Sequence, residues 1–98
     1  MFTLSEENYL KAIYHLESDS KKGISTNAIA KSLETKASSV TDMVKKLSEK
    51  EVVLYIKYQG VTLTEFGKKT AANIVRKHRL WEVFLVEKLN FSWDEVHD

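Results

Sequence analysis

Cysteine and proline are absent from this chain, glycine occurs only three times, and no apolar run is long enough to span a bilayer. Without cysteine there can be no disulfide, no thiolate zinc site and no cysteine nucleophile, and nothing points to an oxidising compartment. Without proline no helix interior loses an amide donor. With so little glycine there is no phosphate-cradling loop, and GxSxG, GxxxxGK(S/T) and HExxH are missing as well. Asp94 and His97 have the chemistry for proton transfer, but no nucleophile accompanies them. Catalysis is therefore not expected. The N-terminus MFTLSEENYL lacks a basic flank leading into an apolar core, so a soluble cytoplasmic protein with no membrane partner is the expectation.

A length of 98 residues suits one small domain with a modest core. The net charge of +1 conceals a division. Glu6, Glu7, Glu17 and Asp19 lie at one end and Glu82, Glu87, Asp94, Glu95 and Asp98 at the other, while the middle of the chain is rich in lysine and arginine. A basic middle is the pattern of a phosphate-binding face, although runs of charge also serve simply as solvated surface.

The stretch Asn27 to Leu47 reads as two short helices joined by the turn Glu34-Thr35-Lys36. In the second, running over about Ser38 to Lys50, Val40, Met43, Val44 and Leu47 recur at i, i+3, i+4 and i+7 and so form an inward stripe. Ser38, Thr41, Asp42 and Lys45 repeat that spacing on the opposite side. Short hydrogen-bonding side chains with one long cation suit a helix lying in a DNA major groove, whereas Asp42 would repel phosphates and such a face also suits plain solvation. The turn lacks the glycine often found there, and Thr35 or Ser38 is expected to cap the second helix.

Around this pair, Ser5 with Glu6 and Glu7 reads as the start of a helix to about Glu17, with Tyr9, Ala12, Ile13 and Leu16 inward and Leu10 and Tyr14 flanking. Ser25 or Thr26 caps the helix that buries Ala28, Ile29 and Leu33. After Lys50 the period becomes extended: VVLYIK, then Tyr58-Gln59-Gly60, then VTLT, a hairpin in which Gly60 supplies positive φ. Thr64 caps a long helix to about Leu89, with Phe66, Ala71 and Ile74 inward. Beyond it, Leu80, Trp81, Val83, Phe84, Leu85 and Val86 leave almost no polar face, which implies a partner surface, a second copy of the chain. Ser92 and Glu95 have capping-box spacing for a fifth helix that the chain does not continue, so a truncated piece of a longer protein is expected.

The fold expected is thus mainly α with a small β-hairpin: a winged helix-turn-helix over residues 1–72, then the start of a helical dimerisation and metal-binding region over 73–98. The candidate DNA contacts are Ser38, Ser39, Thr41, Asp42 and Lys45 on the recognition helix, Thr26 and Lys36 at the entries to the two helices, and Lys57, Tyr58 and Gln59 at the wing tip. His78 and Glu82 lie at i and i+4, and His97 is the next imidazole along. Two imidazoles and a carboxylate make a partial site for a divalent first-row metal. The alternative is a core-edge histidine beside a glutamate that pairs with a cation.

The segments SEENYLKAIYHL, IAKSLETKASSVTDMVKKLSEKEVVLYIKYQGVTLTEFGKK and VRKHRLWEVFLVEKLNFSWDEVHD resemble the metal-dependent repressors of the diphtheria toxin repressor and manganese transport regulator family. The resemblance implies a homodimer that binds double-stranded operator DNA when loaded with Fe(II) or Mn(II), for which Co(II), Ni(II) or Zn(II) can substitute, and that represses metal-uptake genes. His78 matches the family's histidine after the wing, and Glu82 and His97 match further ligands of its iron-responsive branch. Helix one of the family supplies an aspartate or methionine ligand where this chain has Asn8, a weak candidate ligand with only a neutral amide oxygen to offer, and the manganese branch adds a glutamate where this chain has Lys11. The family's remaining ligands would fall beyond Asp98, so a complete activating site is not expected here. Two other readings stand beside the metalloregulator: a winged-helix repressor released by a small organic ligand, and a winged helix serving only as a protein-interaction module.

Overall fold

In the computed structural model, which describes residues 2–18, 23–56 and 59–89, four helices and a hairpin follow in the order α1 (Leu4–Ser18), α2 (Thr26–Leu33), α3 (Ala37–Glu49), β1 (Val53–Ile56), β2 (Gly60–Leu63) and α4 (Glu65–Leu89). This is the winged helix-turn-helix with a long following helix. Its core forms where one stripe from each of the helices meets the inner face of the hairpin. Leu10, Ile13, Ile29, Val40, Leu47, Val52 and Val61 are wholly buried there. Each such aliphatic side chain contributes on the order of 1.5–3 kcal/mol by leaving water.

α1 starts two residues earlier than a Ser5 cap would place it, because Thr3 is the cap. Its hydroxyl accepts from the Glu6 amide at 3.1 Å, and the Glu6 carboxylate accepts from the Thr3 amide at 2.8 Å. This reciprocal box satisfies two donors that the helix start would otherwise leave open. Leu10 is not a flanking residue but lies at the centre of the buried stripe with Ile13, while Leu16 only packs against its edge. Glu6 is also buried, and Lys50 reaches it from the end of α3.

Both helices of the central pair stop in the same manner. Glu34 and Glu51 adopt left-handed backbone at φ 54 and 62. The amides of Glu34 and Thr35 donate to Lys31 and Ala30, and those of Glu51 and Val52 donate to Ser48 and Leu47. Two crossed bonds of this kind close a Schellman motif, in which glycine is the residue usually found at the left-handed position. The turn between α2 and α3 is therefore made without glycine, at a conformational cost borne by Glu34.

The hairpin pairs Val53 with Leu63 and Ile56 with Gly60, and Gly60 takes φ 97 as its loop requires. A third short piece of sheet was not legible in the sequence: Ile24 exchanges both backbone hydrogen bonds with Val61, at 2.8 and 2.7 Å. Beyond Ile24 the exposed edge of β2 is finished by a side chain, since the Leu63 amide donates to the Glu17 carboxylate at 2.9 Å. Thr64 begins α4 as expected, accepting from the Gly67 amide at 2.9 Å while donating to the Glu51 carbonyl at 2.7 Å. Phe66 does not point inward: it is 57% exposed. Gly67 occupies the inward place, so close to the Val52 carbonyl that a methyl group would collide with it, and Ala71 and Ile74 continue that stripe.

Candidate nucleic-acid interface and metal centre

Burial of Val40, Val44 and Leu47 fixes the rotation of α3 about its axis, with Met43 packed at the margin of the core. The opposite face is therefore turned to solvent. Ser38, Ser39, Asp42 and Lys45 are exposed on it. Thr41 is half-buried, and its hydroxyl donates to the Ala37 carbonyl at 3.1 Å, so that only its oxygen lone pairs face outward. Neither Thr35 nor Ser38 caps this helix. Lys36 occupies the cap position and makes no side-chain bond, because Ser38 already lies inside the first turn. The leading amides of α3 consequently keep donors that no side chain of the turn satisfies, next to the exposed Lys36 ammonium.

α2 by contrast is closed by Ser25, whose hydroxyl accepts from the Ala28 amide at 3.0 Å, leaving Thr26 half-buried as its first residue. Gln59 is exposed where the hairpin turns; Lys57 and Tyr58 lie outside the described residues. Along β1, Leu54, Tyr55 and Ile56 are about half exposed.

On the far side of the molecule α1 and α4 pack together. His78, 20% exposed, continues the line of Ala71 and Ile74, and its Nε2 stands 3.4 Å from Oε1 of Glu7. The other oxygen of that carboxylate is 2.9 Å from the Lys77 ammonium. The bond from Lys77, and after it the contact with His78, holds the Glu7 carboxyl below the usual carboxylate value against the opposing effect of burial. Asn8 is exposed, and Glu82, one helical turn beyond His78, is half-buried. His97 falls outside the described residues, and among those described no group of three metal-capable side chains gathers. The structure thus brings to His78 a carboxylate that sequence reasoning missed. Glu7 carried only the signal of an acidic residue in a first helical turn, and nothing in the sequence shows which side of α1 meets a helix 71 residues later.

Past His78 the surface of α4 becomes apolar. Leu80 is 64% and Trp81 59% exposed, and the Trp81 ring stacks on Phe84 with centroids 5.2 Å apart. With Leu4 they wall an open groove of about 600 Å³ whose floor includes Glu7, Lys77 and His78. Among the described residues no helix is long and apolar enough to cross a membrane.

Comparison with known proteins gives this geometry a context. The family model described as iron dependent repressor, N-terminal DNA binding domain, matches residues 1–61, and that described as iron dependent repressor, metal binding and dimerisation domain, matches residues 64–98. An uncharacterized HTH-type transcriptional regulator of Methanocaldococcus jannaschii is 44% identical over 88 residues, covering 90% of this chain and 70% of its own length. The HTH-type transcriptional regulator MntR of Oceanobacillus iheyensis is 40% identical over 98 residues, all of this chain and 65% of its own. The solved structure of the manganese regulator SloR matches with a TM-score of 0.81 at 43% identity, covering 98% of this chain and 44% of that one. This chain therefore spans about two thirds of those curated relatives and less than half of SloR. By their descriptions these relatives are regulators and not enzymes.

Proposed function

This chain belongs to the iron-dependent repressor family, and we propose that it is a sequence-specific repressor that binds double-stranded operator DNA in response to Fe(II) or Mn(II) and controls metal-homeostasis genes in the cytoplasm. The observation that carries the reading is the two-faced α3, with Val40, Val44 and Leu47 sealed in the core and Ser38, Ser39, Asp42 and Lys45 all on the solvent side. Lys45 and Lys36 supply charge for phosphates, and the uncapped amides that open α3 supply donors for an anion. Ser38, Ser39 and Thr41 are short enough for base edges to approach, and Asp42 can accept from a cytosine amino group. Thr26, the first residue of α2, is assigned as a further contact, and Gln59, with its neighbours Lys57 and Tyr58, is assigned to the backbone or minor groove at the wing.

The residues that would hold the metal are His78 and Glu82 of α4 together with His97. Imidazole and carboxylate donors suit Mn(II) and Fe(II), and equally Co(II), Ni(II) or Zn(II) as surrogates. A bound divalent ion would supply positive charge that draws donors on separate segments together. Asn8 is a poorer donor, neutral and exposed. We assign residues 1–72 to DNA reading and 73–98 to the beginning of the metal-binding and dimerisation region, with a second copy of the chain covering the apolar surface at Leu80, Trp81 and Phe84.

Fluorescence anisotropy with a selected palindromic duplex tests this reading, titrated with Mn(II) or Fe(II) and then with excess chelator, with His78→Ala as the control. Metal should tighten binding, and His78→Ala should remove that gain. Equal affinity with and without chelator would favour a repressor governed by an organic ligand, and absence of any salt-dependent DNA binding would favour a protein-interaction module.

A further inference from the structure

The geometry points to Glu7 as a metal ligand of this chain, sharing an ion with His78 in place of the helix-one donor that Asn8 does not provide. Nε2 of His78 and Oε1 of Glu7 are 3.4 Å apart, which is longer than the roughly 2.7–3.2 Å of a good N–H···O hydrogen bond. The pair therefore satisfies each other poorly as donor and acceptor. Two ligand atoms on one first-row ion, each about 2.0–2.2 Å from it and about 90–109° apart, stand roughly 2.8–3.6 Å from one another. The observed distance falls within that interval.

The surroundings fit the same role. Both side chains are held rather than free, with exposures of 20% for His78 and 16% for Glu7. Lys77 binds the second carboxylate oxygen at 2.9 Å, which leaves Oε1 facing the imidazole. The two donors come from different helices, α1 and α4, so an ion between them would tie those helices together. Asn8, the neighbour of Glu7 on α1, is exposed and offers only an uncharged amide oxygen.

This assignment rests on the metal-responsive reading above, and the test separates the two. Co(II) and Mn(II) binding to the 98-residue chain is measured by calorimetry, with the visible spectrum of Co(II) as a direct report on its ligands, for the parent and for Glu7→Gln, Asn8→Ala and His78→Ala. Glu7→Gln should weaken binding by about tenfold or more and change the Co(II) spectrum, as His78→Ala does, while Asn8→Ala leaves both unchanged. Glu7→Asp, which keeps the carboxylate, should recover part of the loss and guards against a merely structural effect of the glutamine. If Glu7→Gln binds as tightly as the parent or more tightly while His78→Ala is weakened, Glu7 is a competitor or bystander: the inference fails and the repressor reading survives. If His78→Ala binds as the parent does, both fail.

Discussion

The ammonium of Lys50 lies 2.8 Å from a carboxylate oxygen of Glu6, joining the residue that caps the end of α3 to the first turn of α1. The same ammonium sits 5.0 Å above the Phe2 ring. The hydrogen bond from Lys50, and then that from the Thr3 amide, hold the Glu6 carboxyl below its ordinary value of 4.5 even though burial acts the other way.

A carboxyl whose folded-state pKa is depressed stabilises the fold above its unfolded value and ceases to do so as pH falls through the folded one. The difference in stability between the parent and Glu6→Gln should therefore be constant near neutrality and shrink as pH drops below about 4.5. Its size at neutral pH is expected to be about 1 kcal/mol, since Lys50 is 40% exposed and solvent screens it. Urea unfolding from pH 7 to pH 3 measures this, and a difference that does not vary with pH would exclude the ion pair as its source.

Glu17 completes the sheet edge at Leu63. Glu17→Ala leaves the Leu63 amide without its acceptor and should cost about 1–3 kcal/mol, whereas Glu17→Gln retains an amide oxygen and should cost markedly less. Thermal melts of the two variants decide. Equal losses would mean that the carboxylate acts through its charge beside Lys68 and not through the backbone bond.

Glu34 is left-handed at φ 54 with its side chain in solvent, so it pays steric strain for no contact in the core. Glu34→Gly should raise the unfolding midpoint, by a stability gain of up to about 1 kcal/mol once the greater freedom of glycine in the unfolded chain is subtracted. A lower midpoint would show that the glutamate makes a compensating contact.

Lys45 is expected to neutralise phosphate without reading sequence. Lys45→Ala should then weaken binding to every duplex alike and reduce the slope of log affinity against log salt by about 1. Anisotropy titrations at several salt concentrations test this, and an unchanged slope removes Lys45 from the phosphate contacts.

What the sequence made legible were features in which local pattern and tertiary demand coincide. The stripe of Val40, Val44 and Leu47 fixes the orientation of α3, Thr64 starts α4, and Gly60 turns the hairpin. The misreadings arise where a partner far along the chain decides. Ile24 joins the sheet only because Val61 has a free edge, and Glu17 faces an amide 46 residues away. Phe66 and Gly67 compete for one inward place, and a sequence rule that favours the larger apolar residue chooses wrongly because the Val52 backbone leaves no room for it. Thr3, not Ser5, caps α1, and its signal is in the sequence, since Thr3 and Glu6 have capping-box spacing. Of the candidate site, the outward residues of α3 could be placed from periodicity, but the neighbour of His78 could not.

The close seat of Gly67 on the Val52 carbonyl has a mechanical consequence. It clamps one end of a 25-residue rod to the backbone that leads out of α3, at a point where a side chain would otherwise act as a cushion. From Gly67 to the end of α4 at Leu89 the rod is about 33 Å long at 1.5 Å per residue. Each degree of tilt at the clamp therefore sweeps the far tip through roughly 0.6 Å. Whatever grips the outer half of α4 holds a long handle on the wing and recognition helix, and the bare α-carbon at the fulcrum keeps the play in that handle small.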